Sequence, residues 1–286
     1  MRWVILLIVL VGCTRIEAHF CDNVHCNGVF SEHIERAEHA DCAFYSLGSA
    51  QVIQALKDVN ARVVLHKPVE GLGARLAKPV GLMHNKFCVL DYREVITGSY
   101  NPYDGLRQEW NNLVVVYNKR IAGLYEDEFQ ELWSGLYGAG SRAAPQIGFH
   151  YQAFFCPEDD CASKLIEEIN RAKRQISFMY FSFSSGEVAL ALIRARERGV
   201  EVRGIIESSQ ISQYSQYQFL RHQGVNVSAD NSSSLLHHKF IVIDNRTIIT
   251  GSFNPTKNGQ LRNDENLIIL RNKKVASWYA QLLSGV

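Results

Sequence analysis

Two stretches of the chain run through the same succession of hydrophobic patterns. In the later stretch Leu165, Ile166, Ile169 and Ala172 form an apolar stripe at i, i+1, i+4 and i+7, which predicts a helix. The segment I-S-F-M-Y-F-S-F then reads as a strand, and E-V-A-L-A-L-I-R-A-R-E-R as a second helix stopped by Gly199. V-E-V-R-G-I-I follows as another strand. Placing Phe20-Cys21 over Phe155-Cys156 aligns the first helices of the two stretches. Ile34, Arg36, Ala37 and Tyr45 then fall on Ile169, Arg171, Ala172 and Tyr180. Further on, H-N-K-F-C-V-L-D-Y-R-E-V-I-T-G-S-Y-N-P (84–102) lies over H-H-K-F-I-V-I-D-N-R-T-I-I-T-G-S-F-N-P (237–255), with 12 of 19 positions identical. The offset has grown by 18 because the earlier stretch is that much shorter ahead of its motif. Each stretch closes with an apolar strand, N-N-L-V-V-V or E-N-L-I-I-L, and a helix.

Such a duplication predicts an α/β protein of two similar halves, each a mixed β-sheet flanked by helices, packed about a pseudo-twofold axis. The expected divisions are a leader over 1–19, a first half over 20–140, a linker over 141–149 marked by Ser141 and Pro145, and a second half over 150–286. At 47% hydrophobic residues the chain has ample material for two cores. Its formal charge of +1 argues against a strongly basic nucleic-acid scavenger and leaves room for a local cationic cleft.

The N-terminus, M-R-W-V-I-L-L-I-V-L-V-G-C, has one Arg before an apolar run too short to span a bilayer, which fits an export signal. Leu10-Val11-Gly12-Cys13 also matches a bacterial lipobox, in which Cys13 becomes the lipidated first residue; a plain cleaved signal or a short buried segment is the other reading. Either kind of signal places the protein outside the cytoplasm, secreted or tethered to the cell envelope. There Cys21/Cys26 and Cys156/Cys161, each spaced C-x4-C, are expected to form local disulfides, with a four-cysteine zinc site as the sharper alternative. Cys42 and Cys88 fit free buried thiols or a third bridge.

The polar residues that recur are His84 and His237, Lys86 and Lys239, Asp91 and Asp244, Ser99 and Ser252, and Asn101 and Asn254. Residues two apart on a strand share a face, so each histidine projects with its lysine, and this selects His237 over His238. Joined across the halves, the set suits a phosphodiester: cations and neutral donors hold the oxygens, one imidazole attacks phosphorus and the other protonates the leaving oxygen. Two such imidazoles remove the need for a metal-generated nucleophile, and no carboxylate cluster in the sequence suggests a two-metal site. No cofactor is expected.

H-x-K-x4-D followed by G-S-x-N resembles the phospholipase D superfamily, and both copies satisfy the pattern. The resemblance implies a phosphohistidine intermediate, with His84 as nucleophile and His237 as acid and later base. It implies that the lysines, Ser99, Ser252, Asn101 and Asn254 hold the phosphate and the imidazoles, with Asp91 and Asp244 in support. The second half is similar to the compact nuclease branch, which includes the mitochondrial cardiolipin hydrolase and ordinarily dimerises around one motif per chain. With two motifs, this chain is expected to complete the site as a monomer. That branch also implies a carboxylate orienting the histidine: Glu265 fits, whereas Asn111 takes its place in the first half and Glu109 lies two residues out of register. The substrate expected on this resemblance is DNA or RNA, with membrane phospholipid as the alternative. Arg171, Arg174 and the run Arg194, Arg196 and Arg198 offer a basic patch for nucleic acid, or merely the solvated faces of amphipathic helices.

Overall fold

The computed structural model describes residues 7–11, 14–21, 23–105, 109–140 and 150–284. Cys13 and the expected linker 141–149 lie outside the described residues. In chain order the first half comprises β1 (Leu7–Val11), β2 (Thr14–Cys21), α1 (Asn23–Ile34), β3 (His39–Phe44), α2 (Ala50–Asp58), β4 (Asn60–Leu65), β5 (Arg75–Leu76), β6 (Lys86–Leu90), β7 (Glu94–Gly98), β8 (Glu109–Tyr117) and α3 (Lys119–Ser134). The second comprises β9 (Tyr151–Cys156), α4 (Cys161–Arg171), β10 (Gln175–Tyr180), α5 (Gly186–Glu197), β11 (Glu201–Ile206), α6 (Tyr217–His222), β12 (Asn226–Ala229), β13 (Leu235–Leu236), β14 (Lys239–Ile243), β15 (Thr247–Gly251), α7 (Lys257–Leu261), β16 (Glu265–Leu270) and α8 (Lys273–Ser284).

Each half forms one mixed sheet. The order is β1-β2-β8-β7-β6-β3-β4-β5 in the first and β12-β11-β10-β14-β15-β16-β9 in the second. Reading either from its N-terminal strand gives the same arrangement, β2-β8-β7-β6-β3-β4 against β9-β16-β15-β14-β10-β11. Parallel pairing joins β3-β4-β5 and β10-β11-β12, and the short β13 of the second half pairs in parallel with β8 of the first. The first half thus includes Thr14–Phe20, where Ile16 and Ala18 are fully buried. A half counted from residue 20 leaves this strand out.

Strand alternation partitions the core. Leu113 and Val115 face α1 and α2, while Val114 and Val116 face the other half. Leu267 and Ile269 likewise face α4 and α5, with Ile268 and Leu270 turned inward. The inward residues of both sheets join α3 and α8 in one continuous core, which fixes the halves against each other. The helices are bounded by their own sequence. Asn118 caps α3 by accepting from the amides of Arg120 and Ile121, and Gly135 ends it at φ 89°, where a side chain would be strained.

Three disulfides are formed among the described residues: Cys21–Cys26, Cys156–Cys161 and Cys42–Cys88. The first two lie in separate cores, so they do not assemble a shared zinc site. The third joins directly opposed residues of β3 and β6, with Cα atoms 4.1 Å apart. Among the described residues no helix is long and apolar enough to cross a membrane.

The strand registers also shift one alignment. Phe44 opposes Lys86 while Tyr180 opposes Lys239, so Tyr45 corresponds to Phe181 rather than to Tyr180. From Cys21 to Phe44 is 23 residues and from Cys156 to Tyr180 is 24, so the second half holds one more residue ahead of β10. With a side-chain period of two, that residue moves an aromatic ring from the core to the site.

Candidate active site

The lysines open β6 and β14, which places His84 and His237 just ahead of two central strands. Each histidine is anchored by the last sheet strand of the opposite half. The His84 amide donates to the Asp264 carbonyl and the His237 amide to the Trp110 carbonyl, both at 2.9 Å. The side chains repeat the exchange: His84 Nδ1 lies 2.8 Å from Glu265 Oε2, and His237 Nδ1 lies 2.9 Å from Asn111 Oδ1. Glu265 and Asn111 are counterparts, so the crossing is reciprocal and the asymmetry seen in the sequence is real. Both acceptors favour the proton on Nδ1, which leaves each Nε2 free to act. Glu109 stands farther off, with Oε2 3.9 Å from His237 Nδ1.

Lys86 and Lys239 are buried, and each ammonium donates to the carbonyl of its own histidine, at 2.6 Å for His84 and 2.9 Å for His237. Tyr45 and Phe181 complete the two units. Their rings lie under the ammonium groups at 5.3 and 5.2 Å, and edge-on to the imidazoles at 5.1 and 4.9 Å. Sequence reasoning missed both rings; the available signal was an aromatic residue immediately after each strand preceding the motif.

Burial dominates the electrostatics. It pushes Lys86 down to about 7 and Lys239 well below the usual lysine range, where Lys86 adds to the effect. Burial and the two lysines hold both imidazoles well below their ordinary value. Burial raises Glu265 to about 7 against the pull of Lys86. These mutual influences place the two imidazoles, the two ammonium groups and Glu265 in one field. A phosphodiester monoanion entering it would offset the crowding of cations, favouring protonated lysine and imidazolium.

Several sequence-predicted residues act otherwise than expected. Ser99 and Ser252 are fully buried and face the partners of the histidines rather than the space in front of them. Ser252 Oγ donates to Glu265 Oε2 at 2.6 Å, and Ser99 Oγ donates to Asn111 Oδ1 at 2.9 Å. Each hydroxyl also accepts the next backbone amide, from Asn266 and from Asn112. The serines therefore position the groups that position the imidazoles. Asp91 and Asp244 are not in the site. Each lies five residues beyond its lysine at the far end of a strand, about 16 Å away at the usual rise. Asp244 accepts from the amides of Lys173, Arg174 and Gln175, and Asp91 from those of Glu38 and His39. They fasten the turns that start β10 and β3. Asn254 lines the cleft, with Oδ1 accepting from the Ser182 amide at 3.2 Å; Asn101 Oδ1 is buried without a hydrogen-bond partner among the described residues.

His238 points away from the chemistry. Its Nδ1 meets Asn112 Oδ1 at 3.2 Å, and burial takes it down to about 3. It belongs to a paired network between the halves, in which Asn112 Nδ2 donates to Thr250 and Asn266 Nδ2 to Asn85 Oδ1. Thr97 donates to Asn266 Oδ1 from the other side. The structure also gathers carboxylates the sequence did not group: Glu128, Glu131 and Glu158 offer oxygens within 4.8 Å of one another. Burial and the neighbouring Glu158 and Asp264 push Glu128 well above its ordinary range, and Glu128 accepts from Asn85 Nδ2 at 3.0 Å. Two of the arginines are engaged locally: Arg171 of α4 pairs with Glu168, and Arg198, just beyond α5, donates to the carbonyls of Ile169 and Asn170.

A cleft of about 760 Å³ opens beside His84 and Glu265. One wall carries Leu82 and Asn263; the other carries Ser182, Ser184, Asn254, Thr256 and Lys257 together with Gln210, Gln213, Tyr214 and Gln216. The last four come from the additional residues of the second half, so the cleft is asymmetric where the histidine units are not.

The arrangement has known counterparts. The family model described as "Cardiolipin synthase, PLD-like domain" matches residues 16–133 and again 165–285. A phospholipase D of Rickettsia prowazekii is 34% identical over 128 residues, covering 44% of this chain and 62% of that protein. The mitochondrial cardiolipin hydrolase of Xenopus tropicalis is 35% identical over 130 residues, covering 44% of this chain and 62% of that protein. The chain therefore aligns with less than two thirds of either relative. Among solved structures, phosphatidylserine synthase of Haemophilus influenzae superposes with a TM-score of 0.68 over 98% of this chain and 87% of that one, at 9% identity, a likeness of fold. With the family model matched in both halves and the histidine units repeated in each, the chain belongs to the phospholipase D-like family and carries its domain twice.

Proposed function

We propose that the protein is an exported phosphodiesterase that cleaves nucleic acid through a covalent phosphohistidine, without a metal ion. The observation that carries this reading is the reciprocal seating of two imidazoles, each oriented through Nδ1 by the opposite half. His84 is assigned as nucleophile because a phosphorylated imidazole is cationic, and the Glu265 carboxylate stabilises that charge better than a carboxamide does. His237, resting on neutral Asn111, forms the more acidic imidazolium and suits protonation of the leaving group. In the first step His84 Nε2 bonds to phosphorus while the P–O bond to the leaving group breaks, and that oxygen takes the proton from His237 Nε2. In the second, His237 Nε2 removes a proton from water as its oxygen displaces the imidazole, giving a phosphomonoester and the starting enzyme. Lys86, Lys239 and the two asparagines, Asn101 and Asn254, hold the non-bridging oxygens.

Nucleic acid is favoured by the lining of the cleft, which is mostly amide, hydroxyl and ammonium. Phospholipid is the second reading, supported by the names of the two relatives. Three disulfides favour an oxidising compartment. β2 begins at Thr14, and β1 is an edge strand. Cleavage before Cys13 would leave β2 whole, whereas cleavage after residue 19 would remove most of it, and this supports the lipid-anchored form.

The test is parallel turnover of single-stranded DNA, RNA and phosphatidylglycerol vesicles in EDTA, with His84→Ala/His237→Ala as control. Nucleic-acid cleavage that persists in EDTA and vanishes in the double variant is expected. Consumption of vesicles alone would replace the substrate while keeping the chemistry.

A further inference from the structure

The connection from β11 to β12 runs 19 residues (207–225) against nine (66–74) between β4 and β5, and four of its side chains face the cleft. Gln210, Gln213 and Gln216 recur at every third position, and Tyr214 stands among them with 73% of its surface exposed. An aromatic ring that exposed forms no part of a core. Gln216 Nε2 donates to the Ser184 carbonyl at 3.4 Å, while the side-chain amides of Gln210 and Gln213 make no hydrogen bond among the described residues. The cleft thus combines a free ring face with uncommitted groups that both donate and accept.

We infer that this segment is a nucleobase subsite of the nuclease reading above, with Tyr214 as the stacking platform and the Gln210 and Gln213 amides meeting base edges. A base adjoining the scissile phosphate presents a flat π-face and a mixed donor–acceptor edge, and the two sets match. An acyl chain matches neither, since only Leu82 and Phe181 give the cleft apolar side chains away from Tyr214. The inference also reconciles a phosphate-backbone substrate with a chain of formal charge +1: stacking supplies affinity that Lys and Arg would otherwise give. Because the shorter first-half connection puts no residue in the cleft, the base is held on one side of the scissile bond only, which gives the bound strand a direction.

The test compares the full chain with Tyr214→Ala, Tyr214→Trp and Gln213→Ala on single-stranded oligothymidylate and on an abasic tetrahydrofuran oligomer of equal length. In EDTA, Tyr214→Ala should lower kcat/KM on the base-bearing strand about 10-fold or more. On the abasic strand it should change kcat/KM by less than about twofold, and Tyr214→Trp should retain wild-type discrimination. Equal loss on both strands, or no loss on either, overturns the subsite while leaving the nuclease in place. If the wild type cleaves neither strand and consumes phospholipid vesicles, the nuclease reading itself falls, and the subsite with it.

Discussion

Replacing Lys86 with Met should abolish turnover and yet make the protein more stable. The ammonium is fully buried, and burial lowers it from 10.5 to about 7. That difference corresponds to about 5 kcal/mol of destabilisation below pH 7 and about 4 kcal/mol at pH 7. Methionine also forfeits the hydrogen bond to the His84 carbonyl, which costs about 1–3 kcal/mol. The net gain is about 2–3 kcal/mol, or a rise in Tm of roughly 3–5 °C for a protein of this size. Its pH dependence gives the sign. Between about 7 and 10.5 the unfolded chain holds a proton on this amine that the folded chain has released, so the penalty fades as pH rises. Thermal unfolding followed by circular dichroism at pH 6 and pH 10 reads both effects. The advantage of Lys86→Met should be clear at pH 6 and absent at pH 10. A variant less stable than wild type at pH 6, or a gain that ignores pH, would refute the view that this cation is held at a cost to the fold for the sake of the substrate.

Further outcomes follow from the same geometry. The free-enzyme pH profile of kcat/KM should be bell-shaped around 7, falling on the acid side as Glu265 is protonated and on the alkaline side as Lys86 loses its proton. Glu265→Gln should keep the imidazole oriented, lower kcat/KM by about 10- to 100-fold and flatten the acid limb. Asp244→Ala, which strips three backbone amides of their acceptor, should cost about 1–3 kcal/mol in urea unfolding and change kcat by less than about twofold. Opening Cys42–Cys88, which closes a loop of 46 residues, should cost about 4 kcal/mol, seen as a lower denaturation midpoint for Cys42→Ala/Cys88→Ala.

The fold was legible in the sequence because apolar period and duplication agree: the twin sheets follow the repeated runs closely. The histidine–lysine units were legible too, since residues two apart on a strand must share a face. What misled was treating H-x-K-x4-D as one cluster. A strand carries its fifth following residue far from the first, so Asp91 and Asp244 serve turns at the other end. The serines misled differently, because a Gly-Ser turn beside a phosphate site suggests a donor, and only the sheet register shows the hydroxyl turned toward Glu265 or Asn111. The match of Tyr45 to Phe181 was hidden by a single residue added ahead of β10. The glutamine-rich segment has no strand or helix period to announce it, and its relation to the cleft comes only from long-range packing. The crossing of Glu265 to His84 and Asn111 to His237 is likewise a property of the assembled halves.

The proposed two-histidine mechanism requires that one imidazole become covalently phosphorylated. It is tested most directly by quenching turnover of an oligonucleotide in alkali, where a phosphohistidine survives, and mapping the adduct by mass spectrometry. A phosphoramidate is expected on the peptide bearing His84, absent in His84→Ala and accumulating in His237→Ala, where water is no longer activated. Turnover in EDTA with no adduct on either histidine, or cleavage that survives His84→Ala, would contradict it.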